Sequence, residues 1–322
     1  MRTLLAALVG VMLTAVTSNV PAQNYPTQPI RLIVPVAPGG PTDILTRAMS
    51  ARFGELLGQQ IIVDNRAGAG GNIAANTVAK AVPDGYTLLV ADMSFSTNPS
   101  LYKPAPYSIK DNFTPIGGMA LASLVLVVHP SLPVNNVKEL IALAHSQPGK
   151  LSYGAAPGTP THLGPEALKA AYNMDVLSVP YKGAAPVATE LVGGRLSFAL
   201  LGVSVAKVFI DSGKLRAIAV TGLKRAAALP DVPTFQEGGT PLPELDFGSW
   251  WGMAGPAGLR KEVVLKLNDA LVRTMNSADV RARLAQINYE PLTGTPEEFG
   301  TLAEQEAVKW ARVIQRAGIK IE

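Results

Sequence analysis

One alternation constrains this chain more than any other feature. An apolar strand pattern, Ile30-Arg31-Leu32-Ile33-Val34, runs into Pro38-Gly39-Gly40-Pro41-Thr42-Asp43. A helical pattern follows, with Ile44, Leu45, Ala48, Met49, Phe53, Leu56 and Leu57 on one face. Strand-like and helix-like stretches then alternate to about Leu271, which predicts α/β architecture with mostly parallel sheets and helical crossovers. Further strands are expected at 61–63, 86–91, 121–128, 151–153, 176–179, 196–201, 215–220 and 250–253, and late helices at 261–275, 277–285 and 296–316.

Strand, glycine-rich turn and helix together present bare backbone N–H groups to an anion. Two loops have that form: 38–43 after the first strand and 154–162 after the strand at 151–153. Helix N-termini leave N–H groups unpaired and add about half a positive charge from the macrodipole, which suits a carboxylate without any lysine. Each loop alone is also ordinary α/β punctuation. The stretch Gly68-Ala69-Gly70-Gly71-Asn72-Ile73-Ala74 has the wrong glycine spacing for a dinucleotide fingerprint and no lysine for a phosphate loop, so it reads as a turn at a helix end.

The composition excludes several classes. The chain has 322 residues, 48% hydrophobic and 16% charged, enough for one large or two ordinary domains and unlike a disordered segment. Twenty-eight basic and 24 acidic residues are well mixed, which leaves no footprint for nucleic acid. With no cysteine, disulfides, thiol catalysis and cysteine metal sites are excluded. There is no G-x-S-x-G elbow and no H-E-x-x-H. His162 and Glu166, spaced i,i+4, read as a helix-surface or capping pair before a metal pair. Asp43 reads as serving a helix start before forming an acid/base pair with Asp92. Trp250 and Trp251 read as sheet core, because alternate strand residues face opposite sides.

Met1-Arg2-Thr3, the apolar run 4–16 and Val20-Pro21-Ala22 form an export signal, with cleavage expected after Ala22 and Ala15 as the lesser site. The expected product is exported and then soluble, with an uncleaved N-terminal anchor as the lesser alternative.

As a set, these segments resemble a known family. VPVAPGGPTDILTR, DNRAGAGGNIAANTVAKAVPDGYTLL, VPYKGAAPVATELVGGRLSFAL, LPDVPTF and the Trp-Gly-Met strand are similar to the Bug-type extracytoplasmic solute receptors of tripartite tricarboxylate transporters. The likeness runs from Tyr25 to the C-terminal helix. It implies a two-lobe periplasmic binding protein of type II-like plan: residues 1–22 a signal peptide, 24–123 plus 247–322 one lobe, and 124–246 the other. It implies a monomer without cofactor or metal that captures a small carboxylate in the cleft and hands it to membrane subunits.

Carried onto this chain, the first-lobe contacts are Ala37, Pro38, Gly39, Gly40, Thr42 and Asp43. The second-lobe contacts are Ala155, Ala156, Gly158, Thr159, Pro160 and His162. Three more segments would line the cleft: 92–98 with Asp92, Ser94, Ser96 and Asn98; 181–183 with Tyr181 and Gly183; and 202–204 with Gly202 and Val203.

The chain departs from its relatives at three places. Val36 stands where many carry an aromatic. The second loop is stiffened by Pro157 and Pro160 and lacks hydroxyls at Ala155-Ala156. Ser197 or its neighbours stand where relatives often have an acid; if that acid binds an amino group, the ligand here has an uncharged or apolar body rather than being an amino acid. Two competing readings use the same cleft: a sensor that presents its closed form to a signalling partner, and a secreted enzyme acting on a carboxylate.

Overall fold

The computed structural model describes residues 25–319, apart from Lys182 and Phe247. The export signal and the cleavage after Ala22 lie outside the described residues. The first sheet is started by β1 (Ile30–Val34), α1 (Pro41–Leu57), β2 (Ile61–Asn65), α2 (Asn72–Ala79), β3 (Thr87–Asp92), α3 (Met93–Leu101), α4 (Ile109–Asn112) and β4 (Phe113–Ala122). The chain then builds β5 (Leu124–Val128), α5 (Val137–Ser146), β6 (Ser152–Ala155), α6 (Pro160–Tyr172), β7 (Leu177–Pro180), α7 (Ala184–Val192), β8 (Phe198–Gly202), α8 (Val203–Asp211) and β9 (Arg216–Val220). It returns through β10 (Ser249–Pro256), α9 (Lys261–Asn276), α10 (Ala278–Gln286), β11 (Glu290–Pro291) and α11 (Pro296–Arg316).

Two mixed sheets result, ordered β2-β1-β3-β10-β4-β11 and β7-β6-β8-β5-β9. They share one plan. In each, the strand arriving from the other sheet (β10 or β5) inserts between the third and fourth local strands and runs antiparallel to both neighbours. The remaining pairs within β1–β3 and within β6–β8 are parallel. Both faces of each sheet are covered, so strand residues alternate between two cores. Ile30, Leu32 and Val34 enter one cluster and Ile33 the other; Leu124, Leu126 and Val128 enter one and Val125 and Val127 the other.

The apolar run expected as a single strand over 121–128 is two strands. The chain changes sheets at Ser123, between Ala122 of β4 and Leu124 of β5. This break fixes how the sheets face one another. β4 runs with β3, so Ala122 lies at the carboxyl edge of the first sheet, opposite Ser249. Leu124 pairs with Gly202, at the carboxyl end of β8. A single residue therefore joins the carboxyl edges of the two sheets, where ligands of open α/β sheets bind.

Trp250 and Trp251 point to opposite faces, as expected. Trp250 packs edge-on against Phe299, and Trp251 stacks on Tyr289 with ring centroids 4.6 Å apart. Between them and the covering helix there is no spare room: a Cβ on Gly252 would stand 2.1 Å from the Phe299 ring. Gly252→Ala is therefore expected to destabilise the protein by about 1–3 kcal/mol through overpacking. A urea melt checks it, and an unchanged midpoint would mean that Phe299 can move aside.

Helix α11 packs against both sheets. Its first turns place Phe299 and Ala303 in a core of the first sheet, whereas Trp310, Val313 and Ile314 join the core of the second. Met93 and Leu101 of α3 join that second core too.

Candidate functional site

Five helices start at the carboxyl edges without any side-chain cap: α1 after Gly40, α2 after Gly71, α6 after Thr159, α7 after Gly183 and α8 after Gly202. By contrast, α3, α5 and α11 are closed by Asp92, Asn136 and Thr295. An α-helix leaves its first N–H groups unpaired, so uncapped starts keep donors available at the cleft.

The α1 and α6 starts are the same structure made twice. Ala37-Pro38-Gly39-Gly40-Pro41-Thr42-Asp43 and Ala156-Pro157-Gly158-Thr159-Pro160-Thr161-His162 agree at five of seven positions. Each opens with a turn in which the fourth residue donates its N–H to the first residue's carbonyl: Gly40 to Ala37 and Thr159 to Ala156, both at 3.1 Å. Proline occupies the second position, and glycine the third with positive φ: 83° at Gly39 and 74° at Gly158. That is a type II turn, whose third position is accessible mainly to glycine. The second proline then opens the helix, where its missing N–H costs nothing. The repeated A-P-G-x-P-T string was readable in the sequence, yet reading only for strand, loop and helix passed over it.

In the first turn, Asp43 is inward. It accepts from Gly39 N–H (2.9 Å), from Arg47 Nε (2.9 Å) and from Asn65 Nδ2 (3.0 Å), while Asn65 Nδ2 also reaches Val36 O (2.9 Å). Burial pushes its carboxyl up, but these bonds and the Arg47 charge outweigh it and hold the group below the usual range. Thr42 is buried. It accepts from Trp251 Nε1 (2.9 Å) and donates to Asp92 Oδ2 (3.0 Å), which ties the helix start to β3 and β10. Ala37, Pro38 and Gly39 are exposed, with Gly40 half-buried.

The polar stretch 92–98 is not an open loop. Asp92 caps α3 by accepting from Ser94 N–H at 3.0 Å, and also accepts from the Ser94 hydroxyl. Burial pushes its carboxyl above the ordinary range against the pull of the Ser94 and Thr42 donors. The helix turns Ser96 and Asn98 away from the cleft: Ser96 donates to Ala303 O (2.7 Å), and Asn98 donates to Gly70 O (2.9 Å) and Asn72 Oδ1 (2.8 Å). Both side chains are occupied inside the first lobe, because a helix carries them round where a loop would have left them facing out.

In the second turn, Ala155 and Ala156 are buried, Gly158 and Pro160 are half-buried, and Thr159 is exposed. Ala155 O accepts from Tyr181 N–H (2.7 Å), and Ala156 N–H donates to Thr161 Oγ1 (3.1 Å). Gly158 N–H donates to His162 Nδ1 (3.3 Å). Glu166 is taken by the Tyr153 hydroxyl and by Lys169 Nζ, so it does not join His162.

Tyr181 is half-buried against the other core of the second sheet, that of Val125 and Val187, and Gly183 starts α7 with φ of 120°. Lys182 lies outside the described residues. Gly202 starts α8 at the edge, but the Val203 side chain is in the core and its N–H donates to Ser123 O (3.2 Å).

Ser197 stands elsewhere. It sits at the amino end of β8, where its hydroxyl accepts from Ser152 N–H (3.1 Å). The five residues of β8 separate it from the cleft edge, a distance of about 16 Å. The argument against amino-acid ligands drawn from Ser197 therefore loses its basis.

A family model described as "Tripartite tricarboxylate transporter family receptor" matches residues 45–319. Three solved structures are similar over nearly the whole chain. Rpa4515 of R. palustris with adipate is 35% identical, with a TM-score of 0.79 over 92% of this chain and 99% of that one. The periplasmic binding protein BugD is 35% identical, at 0.77 over 92% and 100%. MatC of Rhodopseudomonas palustris with bound malate is 30% identical, at 0.76 over 90% and 100%. With the same turn opening a helix in each half of a two-lobe fold, and with this match over residues 45–319, the chain belongs to the tripartite tricarboxylate transporter family of solute receptors.

Proposed function

We propose that this receptor captures a small carboxylate between its lobes in the periplasm and, as a monomer, delivers it in the closed form to its membrane transporter subunits. The lobes that move are residues 24–123 plus 247–322 and residues 124–246, with α11 fastening one to the other. The observation that carries this reading is the duplicated turn: two uncapped helix starts of the same conformation, one on each facing edge. A ligand that touches both stabilises the closed form, because only differential affinity shifts such an equilibrium. The bound adipate and malate of two similar structures support the ligand class.

The contacts proposed for the first lobe are Ala37, Pro38, Gly39, Gly40 and Thr42, with Asp43 holding the turn from behind. For the second they are Ala156, Gly158, Thr159, Pro160 and His162, flanked by Tyr181, Gly183 and Gly202. Asp43 and Asp92 have their oxygens occupied by protein donors, so neither is free to receive an ammonium group. A body without positive charge fits this site best, now for that reason rather than because of Ser197.

The protein, unfolded to strip carried ligand and refolded, is melted against a panel of carboxylates. A binder at ~100 times its Kd adds about 2.7 kcal/mol to stability, which is several degrees. Mono- or dicarboxylates should shift the melt, and their amino-substituted analogues should shift it less. If intact refolded protein responds to none, the carboxylate reading fails.

A further inference from the structure

The two turns differ at one chemically decisive position. Asp43 and His162 stand four residues after the turn glycine, and each accepts that glycine's N–H, at 2.9 Å and 3.3 Å. On the first lobe the group closing the turn is a carboxylate with Arg47 and Asn65 as further donors. On the second lobe it is an imidazole. Because Nδ1 accepts from Gly158, the neutral ring carries its proton on Nε2. Among the described residues Nε2 has no hydrogen-bond partner, and the ring is half-buried at the cleft edge.

We propose that His162 is the specificity-determining residue of the second lobe: Nε2–H donates to the ligand, and carboxylate binding draws a proton onto Nδ1. The inference rests on the carboxylate reading above and adds a sign to it. In the free protein, protonating Nδ1 forfeits the bond to Gly158 and charges a poorly hydrated ring. Burial accordingly holds the group below its ordinary value, with Lys169 acting in the same direction and Glu166 against it.

Of the charged groups on the elements packed against α6, two ion pairs cancel and the carboxylates of the Pro243–Leu245 turn do not. On α6 itself, Glu166 is paired with Lys169. From β6 comes Tyr153, bonded to Glu166, and β8 presents the apolar Phe198 and Leu200. Helix α11 brings Glu306, paired with Lys309, and the turn Pro243–Leu245 brings Glu244, followed by Asp246. Only Glu166 and Lys169 act on the ring itself, in opposite senses, so an anion arriving at Nε2 is the one unbalanced charge against it and favours the imidazolium over the long bond to Gly158. Affinity for a carboxylate then rises as pH falls, by about tenfold for each unit by which the ligand raises the ring's titration point.

Imidazole ¹⁵N spectra of the full chain are recorded against pH, with and without adipate. The expected results are the Nε2–H form in the free protein, a titration point that moves upward with adipate, and binding at least tenfold tighter at about pH 5.5 than at about pH 8. His162→Asn keeps an acceptor for Gly158, and His162→Gln keeps a donor near the place of Nε2. Both should lose the pH slope, with Gln retaining more affinity than Asn. An Nδ1–H form, or adipate binding that leaves the ring's titration unmoved, overturns the proposal alone. If neither adipate nor concentrated acetate perturbs the Gly39 and Gly158 amides, the carboxylate reading falls and takes this one with it.

Discussion

Trp310→Ala should lower stability by about 3–5 kcal/mol, the usual cost of deleting a buried indole. The melting temperature should fall on the order of 10 °C. Trp310 is 2% exposed and sits in the core of the second sheet, on a helix whose first turns cover the first sheet. Its Nε1 donates to the buried Glu306 at 2.9 Å, so the truncation also removes a donor from a carboxylate that Lys309 alone must then satisfy. Trp310→Phe separates the two terms, since it keeps most of the apolar burial and loses only the bond. Calorimetry is the measurement. A loss of less than about 1 kcal/mol for the alanine variant would mean that the end of α11 is not held in the second core. Because that contact joins the lobes, the variant should also resist closure and bind ligand more weakly.

Asp43→Ala should be nearly as damaging, with a loss of about 2–3 kcal/mol, because donors on Gly39 and Asn65 lose a buried acceptor. Arg47 is half-exposed, so water takes over much of its part. The turn that Asp43 holds is one of the two proposed ligand cradles, so carboxylate binding should fall well over tenfold. The pH dependence has a definite sign. The folded Asp43 carboxyl is held below its unfolded value, so its contribution is complete above about pH 4 and fades as pH falls through the folded value. Wild type and Asp43→Asn should therefore differ most near neutral pH and converge in strong acid. A gap that stays constant across that range would show that the residue acts through shape rather than charge.

The sites most legible in the sequence were those specified by local chemistry. Glycine at positive φ after proline, then proline opening a helix, is a turn that few other residues can make. The α1 and α6 starts were accordingly found where expected. Less local features were missed. Asp92 to Asn98 read as a polar stretch lining the cleft, with no helix expected there, since serine, threonine and asparagine disfavour helix interiors. The Asp92 cap and packing of Phe95 and Leu101 overrode that preference. Ser197 read as a cleft residue because closeness along the chain to β8 says nothing about which end of the strand it occupies.

What the sequence by itself determined is therefore the vocabulary: alternating strands and helices, two glycine turns, the absence of thiol chemistry, and a resemblance specific enough to name the family. These depend on dihedral preferences and periodicity over a few residues. The tertiary structure alone decided which donors remain free. Asp43 closes on Gly39 and His162 on Gly158; Ser96 and Asn98 turn inward; Ser123 joins the two carboxyl edges; and α11 reaches across to the second core. Hydrogen-bond satisfaction depends on what lies opposite in space, from residues as far apart in sequence as Thr42 and Trp251, and no window along the chain contains that partner.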